Sequence, residues 1–293
     1  MTVQAPPATV AIGNDPNSEA AIEARAKARI KNRKRLVYGL RIGILIAILG
    51  LWEAGTELGW IDPFFFASPS GIVSQLNTWI TEGTSQGPLW QQILITMEET
   101  LLGFLIGSVA GVIAGIALGR NQLLADVFSI YIKVANSIPR VVLGSIFIIA
   151  LGLGMASKVA LAVVMVFFIV FANAFQGVRE ADRAMIANAQ ILGASPMQIT
   201  WSVVIPSAMS WILASLHVSF GFALVGAVVG EFLGAKQGLG LLIATAQASF
   251  NANGVFAAMV ILAVLALVME YIITAIENRL VKWRPAPFTE QVA

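Results

Sequence analysis

Apolar runs long enough to cross a bilayer recur along the chain, separated by short polar breaks. A spanning helix needs ~20 mostly apolar residues, because lipid offers no partner to backbone N–H and C=O groups. Six stretches meet this pattern: residues 37–54, 95–119, 141–153 (with a start as early as 132), 159–175, 208–232 and 255–276. Only Gly152-Leu153-Gly154-Met155-Ala156-Ser157 separates the third from the fourth, and its glycines favour a break over one long helix. The expected fold is all-α and integral to the membrane. A six-helix domain covers 37–276, between a tail over 1–36 and a short tail over 277–293.

Composition narrows the class. Hydrophobic residues make up 58% and charged residues 12%, against about 25% charged in soluble domains. This excludes a soluble enzyme, a disordered chain and a nucleic-acid module. The absence of cysteine excludes thiolate metal sites and cysteine nucleophiles.

Lys and Arg set the orientation. Arg25, Lys27, Arg29, Lys31, Arg33, Lys34 and Arg35 precede the first span, and Arg41 sits at its start. With the N-terminus inside, only Lys158 and Lys236 fall in outside loops. Both termini are then cytoplasmic, which six spans allow. The polar first 36 residues argue against a cleavable signal peptide, and residues 1–16 read as disordered. Ile22, Ala26 and Ile30, set among basic residues, predict an amphipathic helix over 18–36. It either lies on the inner membrane face or is a solvated charge run that sets topology.

Span two carries Gly103, Gly107, Gly111, Gly115 and Gly119 at an unbroken spacing of four. At ~1.5 Å per residue this stripe runs ~24 Å, and it predicts close approach of another helix. Gly226, Gly230 and Gly234 repeat it in span five. Ionisable residues in spans are functional suspects. Glu53, Glu98, Glu99, Glu231 and Glu270 fall near span ends, within expected reach of water, whereas His217 lies about ten residues into span five. His217 and Glu231 are candidate pathway or bracing groups. No buried carboxylate chain suited to a proton relay is apparent. With one histidine, a multi-histidine metal site is excluded and a Ser-His-Asp triad is unsupported; no phosphate-binding GxxxxGK[ST] loop exists. Energy for active transport must come from an ion gradient or another chain.

The segment 176–206, QGVREADRAMIANAQILGASPMQITWSVVIP, is long for a loop in a bundle. A helix is expected over 181–192, ended by Gly193 in the left-handed conformation. Ser195, Pro196 and Gln198 then form an N-cap, a first-turn proline and a capping box. Pro206 is expected to close the segment before span five.

Ala187-Asn188-Ala189, Gly193 and Val203-Val204-Ile205-Pro206 resemble the loop signature of ABC importer permease subunits: EAA, three residues, Gly, nine residues, Ile-x-Leu-Pro. Ala187 replaces the signature glutamate, and the Gly-to-Pro spacing matches. Further stretches resemble the taurine/alkanesulfonate/nitrate branch. They are Ala67-Ser68-Pro69-Ser70, Ser137-Ile138-Pro139-Arg140, Gly152-Leu153-Gly154 with Ser157-Lys158, Val229-Gly230-Glu231-Phe232-Leu233-Gly234 with Gly238-Leu239-Gly240, and Glu277-Asn278-Arg279 with Trp283.

The resemblance implies the type I six-helix permease fold in a bacterial inner membrane. It places Ala189, Leu192, Gly193, Ala194, Ser195, Pro196 and Met197 on a coupling helix that docks on a cytoplasmic ATPase. It implies two such ATPase chains holding ATP and Mg, a second permease copy and an extracytoplasmic binding protein. This chain would bind no cofactor and do no covalent chemistry. Residues 57–92 and 235–253 are candidates for the binding-protein contact. The implied cargo is a small solute, anionic like a sulfonate or nitrate, with heterocyclic vitamin precursors also open. The alternative is a stand-alone secondary transporter or channel, which would show inverted repeats and a midplane polar cluster; neither is evident.

Overall fold

A computed structural model describes residues 19–280. The expected helix over 18–36, in its first residue, and the motif residue Trp283 reach outside that range. The described chain is helical, with no strand among the described residues. Twelve α-helices follow in order: α1 (Glu19–Glu57), α2 (Pro63–Phe66), α3 (Pro69–Thr81), α4 (Leu89–Gly119), α5 (Gln122–Ser137), α6 (Leu143–Leu151), α7 (Met155–Arg179), α8 (Arg183–Ile191), α9 (Pro196–Ile199), α10 (Ile205–Leu233), α11 (Leu239–Ala248) and α12 (Ala252–Leu280).

The centre is α7, held between α4 and α10. The glycine stripe of α4 meets Ala162, Val166, Val170, Ala174 and Val178 of α7, each step of four on one helix matched by a step of four on the other. The two helices therefore run parallel. Gly226 and Gly230 of α10 likewise meet Ala162 and Lys158 of α7, while Gly177 meets Ala208, so α10 runs antiparallel to α7. The seam is close: a Cβ on Gly111 would lie 2.9 Å from the Phe167 carbonyl oxygen and 3.0 Å from the Phe171 nitrogen.

Parallel α4 and α7 demand that the chain between them return across the bundle. That return differs from the single third span expected from hydropathy. It is made by α5 and α6, with a short 3₁₀ turn at Arg140–Val142, bent by 73°. Pro139 lacks an N–H and disfavours helix before it, which breaks the run at Ile138. Gly152, at φ +79°, then ends α6. Five helices are individually long and apolar enough to span, and the bent pair makes a sixth crossing.

α1 is continuous over 39 residues, about 58 Å at 1.5 Å per residue. No break separates residues 36 and 37, so the basic stretch is the same helix as the first span, not a separate surface helix. Residues 27–51 are exposed throughout, and near its end α1 is tied to its neighbours. There Trp52 packs on Phe256 with ring centroids 5.6 Å apart, and Glu53 Oε2 accepts the Ser70 N–H at 3.0 Å. Ser68 caps α3 by accepting the Gly71 N–H at 3.1 Å, followed by Pro69 in the first turn.

Candidate functional site

Three places carry the side chains singled out by the sequence. The first is the corner between α8 and α9, on the face where α4 and α7 end. Asp182 caps α8 by accepting the Ala184 N–H at 2.8 Å, so the helix begins two residues later than the pattern predicts. At its end Gly193, at φ +81°, donates to the Gln190 carbonyl at 3.0 Å, and Ala194 donates to the Ala189 carbonyl at 3.0 Å. Both bonds together form a Schellman stop. One residue on, the Ser195 N–H donates to Gln198 Oε1 at 2.7 Å while Ser195 Oγ accepts the Gln198 N–H, closing a capping box. Helix stop and helix start are thus both satisfied within a few residues, which makes the corner stiff.

Of the seven residues placed on this corner, Leu192, Gly193, Ser195, Pro196 and Met197 are exposed. Ala189 and Ala194 are half-buried instead and pack toward Ala181, Ile199 and Val204. Ile191 at 83% exposed and Trp201 at 66% join Leu192 and Met197 in an apolar tip that the sequence reading did not name. Pro206 does not close the segment. Residues Thr200–Val204 form one wide π-turn, with the Ile205 N–H bonding the Thr200 carbonyl, and the helix runs on into α10. Widening the turn before a proline relieves the clash its ring makes with the preceding turn.

The second place lies at the opposite end of the bundle and corrects the expected reach of water to the glutamates. Glu231 is fully buried and Glu99 is 3% exposed. Gln92, Thr96 and Lys158 are buried beside them, and Lys158 belongs to the first turn of α7, not to a loop. Thr96 Oγ1 donates to Glu231 Oε1 at 2.7 Å, and the Glu99 carboxyl abuts that of Glu231. Lys158 Nζ donates to the carbonyls of Leu153 and Gly154. A compact buried carboxyl pair therefore exists where none was expected. The signal for it was present: Gln92, Thr96 and Glu99 continue the face of α4 that bears Gly103 and Gly107, so the glycine stripe has a polar extension.

Around this end, the two segments expected to face outside meet. Asn251 donates to Gln75 Oε1 at 3.0 Å, Gln86 to Thr245 at 3.4 Å, and Phe64 stacks on Phe250 with centroids 6.1 Å apart. A cavity of about 820 Å³ lies between α3, the start of α4 and α12, lined by Trp79, Leu89, Ile93, Ile261 and Leu265 among others.

The third place is His217. It is not a lone group in the span: Nδ1 lies 2.9 Å from Glu270 Oε1 and Nε2 lies 2.6 Å from Glu277 Oε2. It braces α10 to α12. Among the described residues no cluster of His, Cys, Asp and Glu suits a metal ion.

A family model described as binding-protein-dependent transport system inner membrane component matches residues 107–282. The taurine transport system permease protein TauC of Escherichia coli is 28% identical over 245 residues, covering 83% of this chain and 89% of its own length. The putative aliphatic sulfonates transport permease protein SsuC of Bacillus subtilis is 29% identical over 263 residues, 89% of this chain and 93% of that one. The riboflavin transport system permease protein RibX of Chloroflexus aurantiacus is 29% identical over 262 residues, 88% and 96% respectively. In fold, the chain is similar to the inward-facing methionine ABC transporter MetNI, with a TM-score of 0.57 and 21% identity over 66% of this chain and 94% of that chain.

Proposed function

The chain belongs to the family of binding-protein-dependent transport system inner membrane components, and on that premise we propose that the α8–α9 corner is its coupling element. The protein is a multi-pass permease subunit of an ABC importer, not a catalytic enzyme. The carrying observation is the corner itself: a stiff double-capped turn that presents Ile191, Leu192, Met197 and Trp201 to solvent. Contiguous exposed apolar residues mark a contact surface. A rigid contact transmits a displacement that a floppy loop would absorb.

The excess of Lys and Arg on the corner's face of the bundle supports a cytoplasmic position for the corner and both chain ends. Two copies of the chain pair with two ATPase chains that hold ATP and Mg, and an extracytoplasmic binding protein docks on the opposite end. ATP draws the ATPases together, the two corners follow, and the passage opens outward; hydrolysis returns it inward. Exposed Trp60, Phe65 and Phe250 offer the binding protein an aromatic contact. The cargo is a small anion of the sulfonate class. The names of TauC and SsuC support that class, and the name of RibX sets riboflavin as the competitor to exclude.

Native mass spectrometry of the chain co-expressed with its genomic neighbours tests the assembly. Two copies with two ATPase chains are expected; a chain that purifies free of any ATPase refutes the proposal. Gly193→Asp sharpens the test. No atom lies within 4 Å of a Cβ there, so the side chain meets solvent and, in the complex, the partner, while the φ of +81° adds backbone strain at the corner. It should remove the ATPase while the chain stays inserted.

A further inference from the structure

The first turn of α11 begins inside the protein. The N–H groups of a helix start have no partner within the helix, and these are cut off from water. Three side chains supply the acceptors in series. Gln92 Oε1 takes the Gly238 N–H at 2.8 Å, Thr96 Oγ1 takes the Leu239 N–H at 2.9 Å, and Glu231 Oε2 takes the Gly240 N–H at 2.6 Å. Two come from α4 and one from α10, so a helix of 10 residues, too short to span, is held at its tip by two spanning helices. Thr96 joins the set by donating to the other oxygen of Glu231. The fit is tight: a Cβ on Gly238 would overlap the Glu231 carboxyl. Lys158 and its bonds to the Leu153 and Gly154 carbonyls bring the turn between α6 and α7 into the same cluster.

We propose that Gln92, Thr96 and Glu231 form a latch on α11, with Glu231 as its positioning residue, and that the passage opens on the extracytoplasmic side when this latch parts. The proposal rests on the importer reading above. Its logic lies in what the latch is made of. An apolar joint cannot exchange its partners for water, whereas a carboxylate, an amide, a hydroxyl and three N–H groups can each take a water when the site is wetted. Such a joint holds while dry and, once parted, keeps its groups paired with the water that enters. The seam of α4 on α7 has no such exchange available, since its contacts are glycine faces on backbone and on Ala and Val side chains. It stays closed while α11 moves. The Glu99 Oε2 atom, buried without a hydrogen-bond partner among the described residues, adds to the gain on wetting.

The chain contains no cysteine, so single cysteines report accessibility without background. Leu239→Cys sits at the latch and Val170→Cys in the seam, and both parent residues are fully buried. A membrane-impermeant maleimide is applied from the extracytoplasmic side to the full chain in vesicles. Adding Glu231→Ala should speed labelling of Leu239→Cys by about tenfold or more and leave Val170→Cys unchanged. Thr96→Val, nearly isosteric, should do the same should Glu231→Ala prevent folding. In the complete complex with binding protein and trapped ATP, Leu239→Cys should become reactive with the latch residues intact. No acceleration by either substitution, equal acceleration at Val170→Cys, or continued protection in the ATP-bound complex overturns the latch. The vesicle measurement involves no ATPase, so a chain that binds none counts against the importer reading alone.

Discussion

The α4–α7 seam and the cluster around Glu231 are both fully buried, and they are held by opposite means. In the seam, five glycines remove side chains so that two backbones touch, and attraction comes from many short dispersion contacts. Around Glu231, the helix ends are joined by directional hydrogen bonds from polar side chains. A seam of the first kind tolerates no added atom. A cluster of the second kind also cannot lose a partner, because an unpaired buried charge or N–H carries its whole desolvation penalty. One region sets a fixed distance between helices; the other sets which helix ends stay together.

The largest effect expected is from Gly111→Leu. The new side chain would be driven into the backbone of Phe167 and Phe171, and overpacking of about 3 kcal/mol or more should leave little folded protein, read as loss of the monodisperse peak in detergent chromatography. A normally folded variant would break the account of the seam. Next is Lys158→Met, which leaves the buried Leu153 and Gly154 carbonyls without their charged donor and should cost about 3 kcal/mol for the two bonds, read as a lowered thermal transition. A smaller change is expected for Gln92→Leu, which deprives the Gly238 N–H of its acceptor at a cost of about 1–3 kcal/mol. The smallest is Gly50→Ala. Nothing lies within 4 Å of a Cβ there, so the gain in helix propensity, up to about 1 kcal/mol, should leave stability equal or slightly raised. That sign, opposite to Gly111→Leu, separates a glycine's surroundings from its presence.

The corner between α8 and α9 was nearly complete in the sequence. Its stop and its start are local devices, made by Gly193, Ser195, Pro196 and Gln198 acting on neighbours within a few residues. The break at Pro139 was legible in principle for the same reason, yet hydropathy averaged over it and returned one span where α5 and α6 make two limbs. Pro206 misled in the other direction, since a π-turn absorbed a residue that usually ends a helix. Exposure at the corner was not legible: from sequence alone, nothing distinguishes Ala189 and Ala194, which are half-buried and pack within the corner, from Ile191 and Trp201, which face out.

The sequence by itself determined that this chain crosses a membrane, that it turns sharply at Gly193, and that α4 offers a bare stripe to a neighbour. These follow from hydropathy, capping chemistry and a period of four, all of which act over one or two helical turns. Tertiary structure alone decided that the stripe meets α7 in parallel, that Lys158 is buried, and that Glu231 closes on the first turn of α11 with Thr96. A carboxylate near a span end has the same local sequence whether it reaches water or not. Only the packing of α4, α7 and α10 around it removes the water and leaves the N–H groups of α11 as its partners.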